Sequence, residues 1–111
     1  GTTMENLRAA AAGEHEEWAD DYPKFADIAA EEGFPAIAAM YRNIAIAEKG
    51  HEERYLDLLK NVEEGSVFKK DGKVFWQCRN CGFIIEAEEA PKACPACLHP
   101  QSYFEVQKEN Y

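Results

Sequence analysis

The sequence predicts a mainly α-helical fold with a small β module. An antiparallel helix hairpin, forming half of a four-helix bundle, is followed by a compact domain built around four cysteines. Three observations predict it. Apolar residues recur at three- and four-residue steps through two long segments that meet at Gly33-Phe34-Pro35. Each segment carries paired metal-ligand residue types on its apolar stripe. Beyond residue 65 the helical periodicity gives way to strand-like runs around two Cys-x-x-Cys pairs. The expected organisation is a hairpin over residues 1–65, a linker over 66–73 and a metal-binding domain over 74–111.

Charge divides at the same place. Of 21 acidic and 12 basic residues, for a net charge of −9, residues 1–65 hold 15 acidic and 6 basic, and residues 66–111 hold 6 of each. So acidic a chain is a poor ligand for nucleic acid or an anionic membrane. No run of 18 apolar residues and no signal peptide is present. Four cysteines in two close pairs read as a metal site in a reducing cytoplasm rather than a disulfide framework. The chain opens Gly1-Thr2-Thr3 without an initiator Met, so residues upstream are expected.

The first helix is expected to start after Thr3 as N-cap, with Asn6 an imperfect match to a capping box, and to run to Glu32. Its stripe is Leu7, Ala10, Ala11, Trp18, Tyr22, Phe25, Ile28 and Ala29, interrupted by Glu14 and Glu17. Pro23 removes a helix hydrogen bond and predicts a kink, but the periodicity continues in phase through it. Gly33 suits a left-handed helix stop and Pro35 a restart, so the two helices lie antiparallel. The second helix is expected from Pro35 to Glu64. Its stripe runs Ile37, Tyr41, Ile44, Glu48, His51, Tyr55, Leu58 and Val62, with Glu52, Glu53, Arg54, Asp57 and Lys60 on a solvated face. His15 falls off the first stripe and is read as solvated.

In the second segment, Asp71-Gly72 marks a turn in the linker, Val74–Gln77 a strand, Phe83–Ile85 a second apolar run and Tyr103–Val106 a last strand. Phe75, Trp76, Phe83, Tyr103 and Phe104 supply either the core of this small module or a dry wall around its metal. His99 is read as surface or loop packing.

Two constellations carry chemistry. Cys78, Cys81, Cys94 and Cys97 form two knuckles whose thiolates converge tetrahedrally on one ion, and S₄ geometry suits zinc and iron alike. In the helices, Glu14 and Glu17 lie three apart, as do Glu48 and His51. At 1.5 Å per residue from Gly33, Glu17 and Glu14 lie about 24 and 28 Å along their helix, and Glu48 and His51 about 22 and 27 Å along theirs. Carboxylates and an imidazole at one height in an apolar seam call for a cation, and that ligand set suits iron or manganese. In di-iron carboxylate bundles two helices each supply a Glu and two supply a Glu-x-x-His. This chain has one of each, hence half a site, to be completed by a second copy or by an N-terminal helix pair.

The stretches Ala12–Glu17, Ala47–Glu52, Cys78–Phe83 and Ala90–Pro100 resemble rubrerythrin, in its second ferritin-like helix pair and its rubredoxin-like domain. The resemblance covers the whole chain and lacks the family's first helix pair. It implies a non-haem di-iron peroxidase of oxidative-stress defence that reduces hydrogen peroxide to water. Electrons would pass through the rubredoxin-like iron from an NAD(P)H-dependent rubredoxin reductase or a similar donor. By the same resemblance Glu14, Glu17, Glu48 and His51 ligate the di-iron pair, Tyr22 supports them, the four cysteines hold the single iron, and the protein is a homo-oligomer. Two other readings stand beside it: a zinc-ribbon and helical-hairpin binding module without redox activity, and a ferritin-like ferroxidase or iron store.

Overall fold

The computed structural model describes all residues, 1–111, as two compact units, Gly1–Glu63 and Glu64–Tyr111. It contains a long helical hairpin and a small antiparallel sheet of three strands.

The hairpin starts with α1 (Thr3–Glu16), one residue earlier than the expected cap allows. Thr2 is the N-cap: the Glu5 N–H donates to its Oγ1 at 3.2 Å, and the Thr2 N–H donates to Glu5 Oε2 at 2.7 Å. The reciprocal box needs a Glu at the third helical position, and only Thr2 has one there. A π-helical turn (Glu17–Asp21) joins α1 to α2 (Tyr22–Glu31). The wider turn receives Pro23 at the start of α2, where its missing N–H costs least. The proline is therefore absorbed by a π turn inside one continuous helical body. Gly33, at φ +87°, ends α2: the Phe34 N–H reaches Ala29 O at 2.8 Å and the Gly33 N–H reaches Ala30 O at 3.2 Å. Helix α3 (Pro35–Glu64) then returns over the expected span.

Pairings descend in step along the hairpin: Arg8 with Glu63, His15 with Glu52, Asp27 with Arg42. The seam itself is built from small residues. Ala11, Ala26, Ala29, Ala38 and Leu59 are its buried apolar residues, while Phe25, Ile28, Phe34, Ile37, Met40 and Leu58 are exposed. Two helices cover only part of each other's apolar stripe, and the rest stays open. Gly50 lies within α3 where an added Cβ would meet nothing, and nothing in the structure explains it.

In the second unit β1 (Lys69–Cys78) lies between β2 (Ile84–Glu89) and β3 (Phe104–Val106), antiparallel to both. The strand takes in much of the stretch expected as linker. Asp71-Gly72 sits inside it, where the register against β2 shifts between Lys69 and Val74 and Gly72 adopts φ +108°. These turn residues make a bulge rather than a turn. Phe68, also expected in the linker, packs on the core of this unit and its carbonyl accepts the Ala90 N–H. That core is Trp76, Cys78, Ala90, Cys94 and Phe104, with the Trp76 indole N–H donating to Ala87 O at 3.0 Å. Strand alternation puts Phe75 on the opposite, exposed face, and Tyr103 is exposed in the single 3₁₀ turn (Gln101–Tyr103) before β3. Of the five aromatics, Trp76 and Phe104 are therefore buried and Phe83 is half-buried.

Candidate metal centres

The two cysteine knuckles are built alike. Cys78 ends β1; its N–H donates to Phe83 O and its carbonyl accepts the Gly82 N–H. Cys94 repeats the pattern with His99 O and the Leu98 N–H. The turn closes through a left-handed residue, Gly82 at φ +86° in the first knuckle and Leu98 at φ +65° in the second. Leucine pays about 1–2 kcal/mol for that conformation, and here the side chain is 80% exposed. Leu98→Gly is therefore expected to stabilise the metal-loaded domain by up to about 1 kcal/mol, and Gly82→Ala to destabilise it by a similar amount. Denaturant unfolding at fixed metal concentration checks both signs.

All four Sγ atoms lie within 4.8 Å of one another, and the pairs Cys78–Cys97 and Cys81–Cys94 stand 3.7 Å apart. A tetrahedron with metal–sulfur bonds of about 2.3 Å has edges of about 3.8 Å, so the cluster fits one thiolate-bound ion. The cysteines are free, with Cys78 and Cys94 buried and Cys81 exposed. At Cys81 a backbone hydrogen bond near Phe83 favours the thiolate, but burial and the three other thiols outweigh it and push the group up to about 12. At Cys97 the backbone hydrogen bond near His99, with help from Asn80 and the other cysteines, outweighs burial and draws it down to about 6. Four sulfurs this close ionise together only around a cation.

In the hairpin, Glu14 from α1 and Glu48 and His51 from α3 converge, their ligand atoms within 4.8 Å of one another. His51 Nδ1 lies 2.8 Å from Glu48 Oε2 and 3.6 Å from Glu14 Oε2. Glu14 Oε2 is buried and takes no hydrogen bond, an orphaned oxygen that fits a ligand to a cation. The Glu48 carboxyl beside it, through hydrogen bonding, holds Glu14 above the usual carboxylate range, with burial and the charges of Glu48 and Glu17 adding. The same hydrogen bond, followed by that to His51, holds Glu48 below it. The hydrogen bond to Glu48 raises His51 above its ordinary 6.5, against burial.

Glu17 stands outside this trio, half-buried at the start of the π turn. Its charge raises both Glu14 and Tyr22. Tyr22 packs as an aromatic, stacked on Tyr41 at 5.9 Å and edge-on to Phe25; burial and then the charges of Glu17 and Glu48 raise its hydroxyl.

One arrangement is not foreseen by the sequence reading. Glu52, expected on the solvated face, has a side chain only 17% exposed and accepts the Trp18 indole N–H. His15, expected to be free in solvent, stands 3.1 Å from the same carboxylate with its ring edge against Trp18. Trp18 on the stripe was the available signal, because a half-buried indole N–H needs an acceptor. His99 packs against Tyr103 at 4.6 Å, the expected loop packing.

Residues 1–59 match the family described as Rubrerythrin, and residues 76–105 match the Rubrerythrin, rubredoxin-like domain. This chain belongs to the rubrerythrin family. It is similar to the rubrerythrin of Porphyromonas gingivalis, 62% identical over all of this chain and 56% of that protein. The rubrerythrin of Clostridium perfringens is also 62% identical, over 98% of this chain and 56% of its own length. Among solved structures, a mixed-valent state of nigerythrin matches with a TM-score of 0.55 and 32% identity, over 96% of this chain and 50% of that one. The chain thus spans about half the length of the relatives it matches. Rubrerythrins join a ferritin-like di-iron domain to a rubredoxin-like domain. This chain holds a carboxylate–histidine group for the first metal site and a four-cysteine cluster for an FeS₄ site. No helix is long and apolar enough to cross a membrane.

Proposed function

We propose that this chain is the electron-receiving and metal-binding part of a peroxidase that reduces hydrogen peroxide to water. The observation that carries the reading is the convergence of Glu14, Glu48 and His51 around the orphaned Glu14 oxygen, in a chain that also holds four cysteines spaced for one ion. Glu14, Glu48 and His51, with Glu17 beside them, would hold the di-iron pair, and Cys78, Cys81, Cys94 and Cys97 would hold a single iron. When bound, the iron pair would supply two-electron chemistry toward peroxide, and the cysteine-held iron one-electron chemistry to replenish it.

The chain's own residues then have separate tasks. Glu48 fixes His51 so that Nδ1 faces the site. Glu14 and Glu48 would be the carboxylate ligands, able to adapt to a change in metal charge. Tyr22, held above the ordinary tyrosine range by burial and by the charges of Glu17 and Glu48, stays protonated. Peroxide takes up two electrons and two protons to give two waters. The electrons come ultimately from a nicotinamide-dependent reductase of rubredoxin type, in a cytoplasm reducing enough to keep the cysteines as ligands. Another segment completes the bundle. A dedicated S₄ electron site sets this reading above iron storage, which needs none.

Loading of the helical site should be pH-dependent. Glu14 is raised above the ordinary carboxylate range, chiefly by its hydrogen bond to Glu48, and His51 above the ordinary imidazole range, chiefly by its own hydrogen bond to Glu48, so protons compete with metal at both ligands. Apparent affinity is expected to fall as pH drops, by up to about tenfold per pH unit for each proton displaced. Manganese titrations at several pH values measure it; an affinity flat through the histidine range contradicts the assignment of His51. The reading as a whole is tested by peroxide consumption in the iron-loaded, bundle-complete protein with a rubredoxin reductase as donor; consumption no faster than that of free iron would refute it.

A further inference from the structure

We propose that Trp18 is a reserve one-electron donor to the helical metal site, drawn on when peroxide arrives and no reduced donor is at hand. The inference rests on the metal-site reading above and assigns a task to a side chain that holds no metal. Trp18 follows Glu17 in the chain, and its indole N–H donates to the carboxylate of Glu52, which follows His51. Neighbouring Cα atoms across a trans peptide are about 3.8 Å apart. The indole therefore lies one residue from Glu17 on its own arm of the hairpin, and a hydrogen bond ties it to the neighbour of His51 on the other.

The surroundings favour removal of an electron from this indole. An indole that loses an electron becomes strongly acidic at its N–H, so oxidation is easiest where a base already accepts that hydrogen bond. At Trp18 the acceptor is a carboxylate whose side chain is 17% exposed, and a half-buried negative charge is screened less than one in open solvent. His15 Nδ1 stands 3.1 Å from the same carboxylate with its ring edge against the indole, which keeps Glu52 from turning away. Lys49 Nζ lies 5.3 Å from the indole centroid. That cation disfavours a positive charge on the ring, so electron and proton leave together and the product is a neutral indolyl radical. Trp76 gives its N–H to the Ala87 carbonyl instead, a neutral amide that does not take a proton. The chain therefore carries its own control.

Hydrogen peroxide takes up two electrons and two protons to give two waters. Trp18 gives one electron to the helical site and its N–H proton to Glu52, and a returning donor reverses both transfers. Where no donor returns, a second electron and proton leave the indole and water adds to the ring. Indole and hydrogen peroxide then end as hydroxyindole and water.

The test gives hydrogen peroxide, without any electron donor, to the iron-loaded, bundle-complete protein. Iron content is measured first, and mass spectrometry then maps added oxygen on the peptides that contain Trp18 and Trp76. Oxygen is expected on Trp18 well ahead of Trp76, and this lead should vanish in Glu48→Ala, which lacks the helical metal. Glu52→Gln keeps an oxygen that accepts the indole N–H but removes the negative charge and the base. It should retain its iron, while oxidation of Trp18 falls to the level of Trp76. A merely structural role for Glu52 would leave that oxidation unchanged, because the amide preserves the hydrogen bond. Trp18 oxidised no faster than Trp76, or equally fast in Glu52→Gln or Glu48→Ala, overturns the donor assignment, and iron bound at the helical site of the unsubstituted protein leaves the metal-site reading standing. A helical site that takes up no iron overturns both.

Discussion

In Glu48→Ala the helical site loses its metal and peroxide turnover falls by more than about a hundredfold, while absorption from the cysteine-bound iron stays unchanged. Glu48 is singled out because it touches both other members of the trio. Its Oε2 lies 2.8 Å from His51 Nδ1, and its ligand oxygen lies within 4.8 Å of that of Glu14. Truncation removes one ligand, releases the imidazole that it orients, and strands the buried Glu14 oxygen. Loss of a group that merely orients a metal ligand already costs about 10- to 100-fold, so loss of a ligand that also orients another costs more. The cysteine site lies in a separate compact unit, so its spectrum serves as the internal control. Glu52→Ala is the contrasting substitution. Glu52 follows His51 in sequence but accepts from Trp18 and pairs with His15, so its loss should shift tryptophan fluorescence and leave the metal content as it was.

Cys94→Ser should unfold the second unit while the helices keep their far-ultraviolet dichroism. Cys94 is fully buried in the core with Trp76, Cys78, Ala90 and Phe104, and its backbone N–H closes the second knuckle on His99 O. A module of under 50 residues has little apolar core, and much of its folding free energy comes from metal binding. For structural zinc sites that contribution is on the order of 10 kcal/mol. A serine hydroxyl does not replace a thiolate, and the three remaining sulfurs lose their common cation. The expected signature is fast amide exchange throughout β1, β2 and β3, with exchange in α3 unaltered. Protected strands in Cys94→Ser would mean that the apolar core suffices without metal.

Periodicity and spacing made the larger features legible. The span of α3 followed from Pro35, the stripe from Ile37 to Val62 and Gly65, and the cysteine cluster followed from two identical spacings. The helical rise put Glu14, Glu17, Glu48 and His51 at one height, and the structure draws three of them together and leaves Glu17 outside. The misses share a physical cause, competition between residues of similar propensity. Thr2 and Thr3 are equal as caps until Glu5 is counted three positions on, and that count decides for Thr2. Pro23 announces a disturbed helix, but only the packed structure shows the disturbance taken up by a π turn from Glu17 to Asp21. Asp71-Gly72 has the composition of a turn, yet pairing of Lys69 with Glu89 holds it within a strand. Glu52 looks like any surface carboxylate, because its acceptor role depends on Trp18, 34 residues away.

The account depends most on Glu14, Glu48 and His51 holding iron. Mössbauer spectroscopy of the ⁵⁷Fe-loaded protein, with its bundle complete, measures this directly. Two classes of iron are expected, one with the parameters of a tetrahedral thiolate site and one with those of oxygen and nitrogen ligands, and only the second should vanish in Glu14→Ala and Glu48→Ala. A single thiolate-type iron, unaltered by either substitution, would contradict it.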